Sequence, residues 1–206
     1  MIQITNAIER YNTIILAEMK EANIKCWIAG GAIRDYFMGT KIKTDYDMFF
    51  PNQQEYEKAV VFFKAKNAVV KWESDNGCKV KYNNRTFDLV KHFFSDPQTT
   101  IDAFDFTVCM FAVDTDKLYY GETSFIDLAK RQLMINKILY PASTMKRAFK
   151  YYEKGFKMCV GEMAKMVEAI RNDMPSLTAE QVDGTEENDP NTPPSGGASD
   201  IFRGID

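Results

Sequence analysis

The stretch WIAGGAIRDYFMGTKIKTDYDMFF, residues 27–50, decides the fold. With Cys26 before it, residues 26–29 form a short apolar run that reads as a buried strand. Gly30 and Gly31 break that strand, and residues 32–38 then read as a compact helix ending at Gly39. A polar loop leads to a second strand carrying Asp45 and Asp47. Side chains alternate along a strand, so the two carboxylates point to one face with Tyr46 on the other. A glycine turn able to cradle phosphates thus stands beside a carboxylate pair able to hold a divalent cation. Each feature alone is ordinary, since Gly-Gly after a strand usually means tight packing and Asp-x-Asp is common on exposed strands. Their order is what carries specificity.

Around this stretch the chain alternates helix and strand. Residues 6–22 read as an amphipathic helix, opened by Asn6 with Glu9 three positions on and carrying Ile8, Tyr11, Ile15 and Met19 at helical spacing. Pro51 ends the second strand, and residues 53–66 read as a helix with Tyr56, Val60 and Phe63 on one side. Three short strands follow at 68–73, 78–82 and 85–90, separated by Asp75-Asn76-Gly77 and by Asn83-Asn84. The last of them sets Asp88 in an otherwise apolar run, TFDLV. Asp96 followed by Pro97 reads as an N-cap and first helical residue, starting a helix to about residue 103. Residues 105–113 are densely apolar, and periodicity does not settle their type. Residues 125–136 and 143–171 read as helices, with Gly155 and Gly161 marking a kink or an early end in the second.

Composition bounds the rest. A length of 206 residues predicts one domain, or one with an appendage, and 45% hydrophobic content supplies a core. There is no apolar run of membrane-spanning length and no secretory leader pattern, so a cytoplasmic protein without membrane contact is expected. Four scattered cysteines and a single histidine, His92, give no zinc pattern and predict reduced thiols. From residue 173 onward there are eight acids and one base, a net −7 in a chain of −3, which leaves residues 1–172 at +4. A mildly basic body suits an anionic ligand as well as it suits ordinary surface charge. The acidic tail, 173–206, is rich in proline and glycine and reads as disordered. Its Ile201-Phe202-Arg203 cluster is either a docking peptide for another protein or a frayed end.

The chemistry that unites these features is phosphoryl or nucleotidyl transfer, which asks a protein chiefly for positioning and charge neutralisation. Asp45 and Asp47 reach the same ions, and Asp88 on a later strand closes the set. Without a cation, three clustered carboxylates repel one another. Gly30 and Gly31 allow close backbone approach to phosphate, Arg34 is a bidentate anion donor one turn on, and Asp35 orients Arg34 or a ribose hydroxyl.

GGAIRDYFMG followed by DYD resembles the signature of the class II CCA-adding enzymes and bacterial poly(A) polymerases, within the DNA polymerase β-like nucleotidyltransferase superfamily. Gly30, Gly31, Ile33, Arg34, Asp35, Gly39, Asp45 and Asp47 carry the match. Asp88 falls where that family has its third acidic strand residue. Residues 105–114, DFTVCMFAVD, resemble a downstream family segment, and residues 144–152 resemble its arginine-rich helix. The resemblance implies an α+β fold, a mixed sheet flanked by helices. It divides the chain into a catalytic domain at 1–140, a helical segment at 141–172 and the tail at 173–206. It further implies Asp45, Asp47 and Asp88 as catalytic metal ligands for two Mg²⁺ ions, with Mn²⁺ as a substitute. Gly30, Gly31, Arg34, Asp35, Asp105, Arg147 and Lys150 become the nucleotide-binding residues. The family's nucleotide is CTP or ATP, and the implied acceptor here is a hydroxyl, an RNA 3′ end among the candidates.

The chain also departs from the family. Ala103-Phe104 stand where the family has paired arginines, and Cys109 where it has asparagine. Tyr140-Pro141-Ala142-Ser143-Thr144 replaces its nucleotide-selecting motif, leaving Arg147 with Lys150 as a substitute base. A transferase of NMP from an NTP is the first expectation. A non-catalytic nucleotide- or RNA-binding protein that keeps the fold is the alternative.

Overall fold

The computed structural model describes residues 15–39 and 45–173. The start of the predicted 6–22 helix, the loop after Gly39 and the acidic tail lie outside the described residues. Seven strands form one mixed sheet in the order β3-β4-β5-β2-β1-β6-β7. They are β1 (Trp27–Ala29), β2 (Tyr46–Phe49), β3 (Val69–Ser74), β4 (Gly77–Tyr82), β5 (Arg85–Val90), β6 (Phe111–Val113) and β7 (Leu118–Tyr120). Among the described residues only β2 and β5 run parallel, and every other strand pair is antiparallel. The helices are α1 (Ala17–Glu21), α2 (Gly31–Phe37), α3 (Gln53–Ala65), α4 (Pro97–Asp102), α5 (Ser124–Lys130), α6 (Pro141–Glu153) and α7 (Val160–Asp173). This is the α+β architecture that the sequence predicts. Among the described residues no helix is long and apolar enough to cross a membrane.

Local chemistry explains most boundaries. Asn83 and Asn84 both adopt positive φ, 48° and 60°, as a two-residue hairpin turn demands. At Gly77 a Cβ would stand 2.4 Å from the Leu89 carbonyl oxygen, so only glycine lets β4 lie this close to β5. Asp96 caps α4, its carboxylate accepting from the Thr99 amide at 2.9 Å with Pro97 as first helical residue. Asn52 does the same for α3, accepting from the Glu55 amide at 3.0 Å.

The buried core spans both faces of the sheet. Phe63 of α3 lies 5.6 Å from Phe87 of β5, on the side that also carries Tyr46 and Met48. α4 lies against β1, where the Trp27 indole donates to the Thr100 hydroxyl at 2.9 Å. A buried indole N–H with a partner contributes packing without a desolvation penalty.

The structure settles one open run and corrects two predicted helices. The 105–113 run is a short 3₁₀ turn, Thr107–Cys109, followed by β6. The predicted 125–136 helix stops at Lys130, because Arg131 takes left-handed geometry with φ of 51°. The chain beyond it becomes extended: Leu133 donates to the Lys157 carbonyl, and Ile135 bridges Phe106. The predicted 143–171 helix is two helices, α6 and α7, divided at Gly155 with φ of 87°. That glycine was singled out for its low helix propensity, and it supplies the left-handed stop. β7 was not foreseen, since three residues between Lys117 and Gly121 leave little periodic signal.

Candidate active site

The register of the sheet builds the site. Ala112, Ala29, Asp47, Asp88, Lys79 and Trp72 are successive cross-strand partners on β6, β1, β2, β5, β4 and β3. Directly paired residues share a face. One side of the sheet therefore carries a row running from two alanines, through two aspartates, to a lysine and a tryptophan. Asp47 is 1% exposed and Asp88 8%, and the parallel pairing of β2 with β5 sets them side by side. Gly30 lies one residue beyond Ala29, the partner of Asp47. Its amide donates to the Phe111 carbonyl at 2.8 Å, and its φ of 86° turns the chain from β1 straight into α2. The glycine turn and the acidic strand thus meet as the sequence predicts.

Lys79 is the residue that the sequence did not reveal. Its ammonium stands 2.7 Å from Asp45 Oδ2 and 3.2 Å from Asp88 Oδ2. Asp45, one residue before β2 and more open than the others, is joined to Asp88 through this lysine. The Lys79 Nζ also lies 5.9 Å from the centre of the Trp72 ring, within cation–π range. The two carboxylates hold Lys79 above its ordinary pKa against the opposing effect of burial, so it stays charged. Burial raises Asp88, Lys79 lowers it in part, and the charge of Asp45 adds to the rise. Among the described residues no group of three or more His, Cys, Asp or Glu side chains is gathered closely enough to hold a metal ion. The donor set nevertheless suits a hard cation, because Asp88 Oδ1 is buried with no hydrogen-bond partner while Oδ2 faces Lys79.

The basic residues named from the sequence are placed differently. Arg34 is fully buried. Its Nε and Nη2 donate to Asp35 Oδ1 at 2.9 and 2.8 Å, and Nη1 donates to the Tyr151 hydroxyl at 3.0 Å. Cys109 Sγ lies 3.4 Å from Nη1 and also bonds the Tyr151 hydroxyl. The guanidinium thus ties α2 to the 3₁₀ turn and to α6, and it is spent inside the protein. Cys109, where the resembled family has asparagine, belongs to this knot. Burial pushes its thiol up, the Arg34 charge opposing. Arg147 of α6 pairs with Asp105 in a second tie between the same helix and the body. Burial raises Asp105 and Arg147 counteracts it. Lys150 is exposed on α6.

Lys79 carried a faint signal. It alternates with Cys78 and Val80 in a strand paired to the one holding Asp88, but which acid it faces depends on the hairpin register.

Comparison with known structures places this sheet. A tRNA-processing enzyme in its apo form superposes with a TM-score of 0.60 at 17% identity, over 80% of this chain and 47% of that one. The Thermotoga maritima CCA-adding enzyme complexed with tRNA gives 0.59 at 16%, over 75% and 40%. A tRNA nucleotidyltransferase with a primer tRNA and an incoming ATP analogue gives 0.57 at 17%, over 77% and 50%. The chain spans half or less of the length of these enzymes, and at such identities the likeness establishes the nucleotidyltransferase fold. No curated protein matches by sequence. A family model does match, over residues 3–131, a segment that contains the Gly30-Gly31 turn, all three aspartates and Lys79. By that match the chain belongs to the Gabija anti-defense 2 family.

Proposed function

We propose that this chain is a divalent-cation-dependent nucleotidyltransferase that counters the Gabija defence by transferring a nucleoside monophosphate from an NTP to a hydroxyl. The observation that carries the reading is the buried Asp47–Asp88 pair on adjacent parallel strands, one residue from the Gly30 turn. Burying two carboxylates side by side costs several kcal/mol unless a cation compensates, so a sheet that keeps them there is arranged for positive charge. The family description supports the anti-defence role, and the fold of tRNA nucleotidyltransferases supports the reaction class.

In the transfer the acceptor oxygen bonds to the α-phosphorus and the bond to the pyrophosphate leaving group breaks. The acceptor proton passes to a carboxylate, for which Asp88, with its raised pKa, is suited. Asp45, Asp47 and Asp88 would hold Mg²⁺ or Mn²⁺, which when bound supplies charge neutralisation at the triphosphate. Gly30 and Gly31 admit the triphosphate close to the backbone. Arg34 and Asp35 hold α2 in place behind that turn, and Arg147 with Asp105 fixes α6, leaving Lys150 facing outward toward an anionic substrate. The acceptor is a hydroxyl on a defence protein or at an RNA 3′ end.

Incubation of the full chain with each labelled NTP, Mg²⁺ and candidate acceptors should transfer label, and Asp47→Asn and Asp88→Asn should abolish it. A specific observation favours the non-catalytic alternative as the second reading, namely that a lysine already bridges Asp45 and Asp88. That reading requires wild type to transfer nothing to any acceptor and to show no Mg²⁺-dependent rise in melting temperature with any NTP.

A further inference from the structure

We propose that Trp72 is the stacking platform for the acceptor, and that the acceptor is a nucleotide unit whose base lies on the indole while its free hydroxyl meets Asp88. The inference rests on the reading of the site as a nucleotidyltransferase. A bulge in β3 carries it. Val70 pairs with Val80, so unbroken alternation would pair Trp72 with Cys78, on the buried side of the hairpin. The register instead shifts between Val70 and Trp72, and Trp72 pairs with Lys79 on the side that holds Asp88. A bulge disrupts the ladder locally, and bulges beside active sites serve to re-aim a side chain. Here the shift turns a large aromatic side chain from the core side to the site face. The residue is 41% exposed there, on a strand exposed along its whole length.

Position along the sheet decides what the indole serves. The Gly30 turn follows Ala29 on one side of the aspartates, and Trp72 lies beyond Lys79 on the other. In an in-line displacement the attacking and leaving oxygens stand on opposite sides of the phosphorus. With the pyrophosphate leaving group at the Gly30 turn, the acceptor approaches from the side of Asp88, Lys79 and Trp72. Trp72 and Asp88 are two strands apart, about 9–10 Å, the span of a nucleoside that stacks at one end and presents a sugar hydroxyl at the other. Lys79 bridges the interval, its Nζ 3.2 Å from Asp88 Oδ2 and 5.9 Å from the centre of the Trp72 ring. Lys81, exposed on the same face and paired with Val69 of β3, supplies a counter-charge for the phosphate of that nucleotide. An aromatic ring flanked by lysines is the chemistry that holds single-stranded nucleic acid with little regard to sequence.

The chain has two tryptophans, and Trp27 is 1% exposed with its indole bonded to Thr100, so quenching of intrinsic fluorescence by a bound base reads Trp72. Titration of the full-length chain with AMP and with a short unstructured oligoribonucleotide, in chelator and without NTP, should quench the emission. Tighter binding of the oligonucleotide identifies a strand end as the source of the nucleotide, and equal affinity identifies a free nucleotide. Trp72→Phe should lose the quenching and keep the affinity, measured by anisotropy of a labelled ligand. Trp72→Leu should weaken that affinity about tenfold or more, with thermal melts verifying that both variants are folded. In transfer assays Trp72→Leu should raise the acceptor KM by a similar factor and leave the NTP KM unchanged. Absence of quenching in wild type, or a folded Trp72→Leu that binds as tightly as Trp72→Phe, overturns the inference. If transfer to a protein hydroxyl persists undiminished in Trp72→Leu and is abolished in Asp88→Asn, the transferase reading stands and the nucleotide acceptor falls. If wild type transfers to no acceptor at all, the transferase reading falls and takes the acceptor role of Trp72 with it.

Discussion

The Arg34 knot and the Lys79 cluster combine the same ingredients, a cation, carboxylate and an aromatic side chain, in two different ways. Arg34 is sealed, its donors divided among Asp35, Tyr151 and Cys109, with its guanidinium 5.1 Å from the Tyr151 ring. Lys79 keeps about a quarter of its side chain open to solvent, and it meets Asp45, which is more open still. One carboxylate and one fully bonded guanidinium balance within the knot. At the cluster, carboxylates outnumber the ammonium, and an oxygen of Asp88 is left buried without a hydrogen bond. Balanced charge in a dry interior serves as structure. Unbalanced charge at a partly open face stays available for a ligand.

The largest effect should separate the two. Arg34→Met is expected to lower unfolding free energy by about 3–5 kcal/mol, because it leaves the Asp35 carboxylate buried without its partner. Urea denaturation reads this as a fall in midpoint, and a loss below about 0.5 kcal/mol would erase the structural role of the knot. Asp47→Asn should do the reverse. Nucleotidyl transfer falls at least about a hundredfold, about 2.7 kcal/mol of barrier, while the melting temperature holds or rises as a buried negative charge is removed. A comparable loss of stability in Asp47→Asn would remove the contrast.

Smaller changes sharpen it. Tyr151→Phe deletes the hydroxyl that accepts from Arg34 and should cost about 2 kcal/mol of stability. Measured in the Arg34→Met background, the same change should cost clearly less, since the two share one bond. Asp96→Ala, outside both regions, gives the baseline of a half-buried capping carboxylate and should cost about 1 kcal/mol at neutral pH. The Thr99 amide first, and then the Ser95 hydroxyl, hold Asp96 below the usual aspartate range. A depressed carboxylate contributes its stability above the unfolded-state pKa and loses it as pH falls through the folded one. The gap between wild type and Asp96→Ala should therefore be full at pH 7 and close in strong acid, as read by thermal melts across pH.

The sequence made legible what short-range chemistry writes. The Gly30-Gly31 turn, the Asn83-Asn84 hairpin, the Asp96-Pro97 helix start and the stop at Gly155 each depend on a few adjacent residues. Asp47 and Asp88 were also readable, because a carboxylate within an apolar strand stands out. What escaped depends on distance along the chain. Arg34 meets Tyr151 across 117 positions, and a guanidinium beside a glycine turn reads as an anion donor until that phenol is placed. Lys79 faces Asp88 only in one hairpin register, and a slip of one residue would turn it to the opposite side of the sheet. Arg131 ended a helix through a left-handed backbone that arginine seldom adopts, so residue type gave no warning.

The Arg34–Tyr151 bond also has a consequence for the order in which the molecule is made. Synthesis proceeds from the N-terminus, so Gly30, Asp47, Lys79 and Asp88 all emerge long before α6. Until residue 151 follows, the guanidinium beside the glycine turn has Asp35 and no phenol, and the Cys109 thiol has no hydroxyl to bond. The acidic half of the site is written early, and the turn that would face a triphosphate is fixed late. A nascent chain halted after β7 has its aspartates in sequence and lacks the clasp that holds α2 behind them.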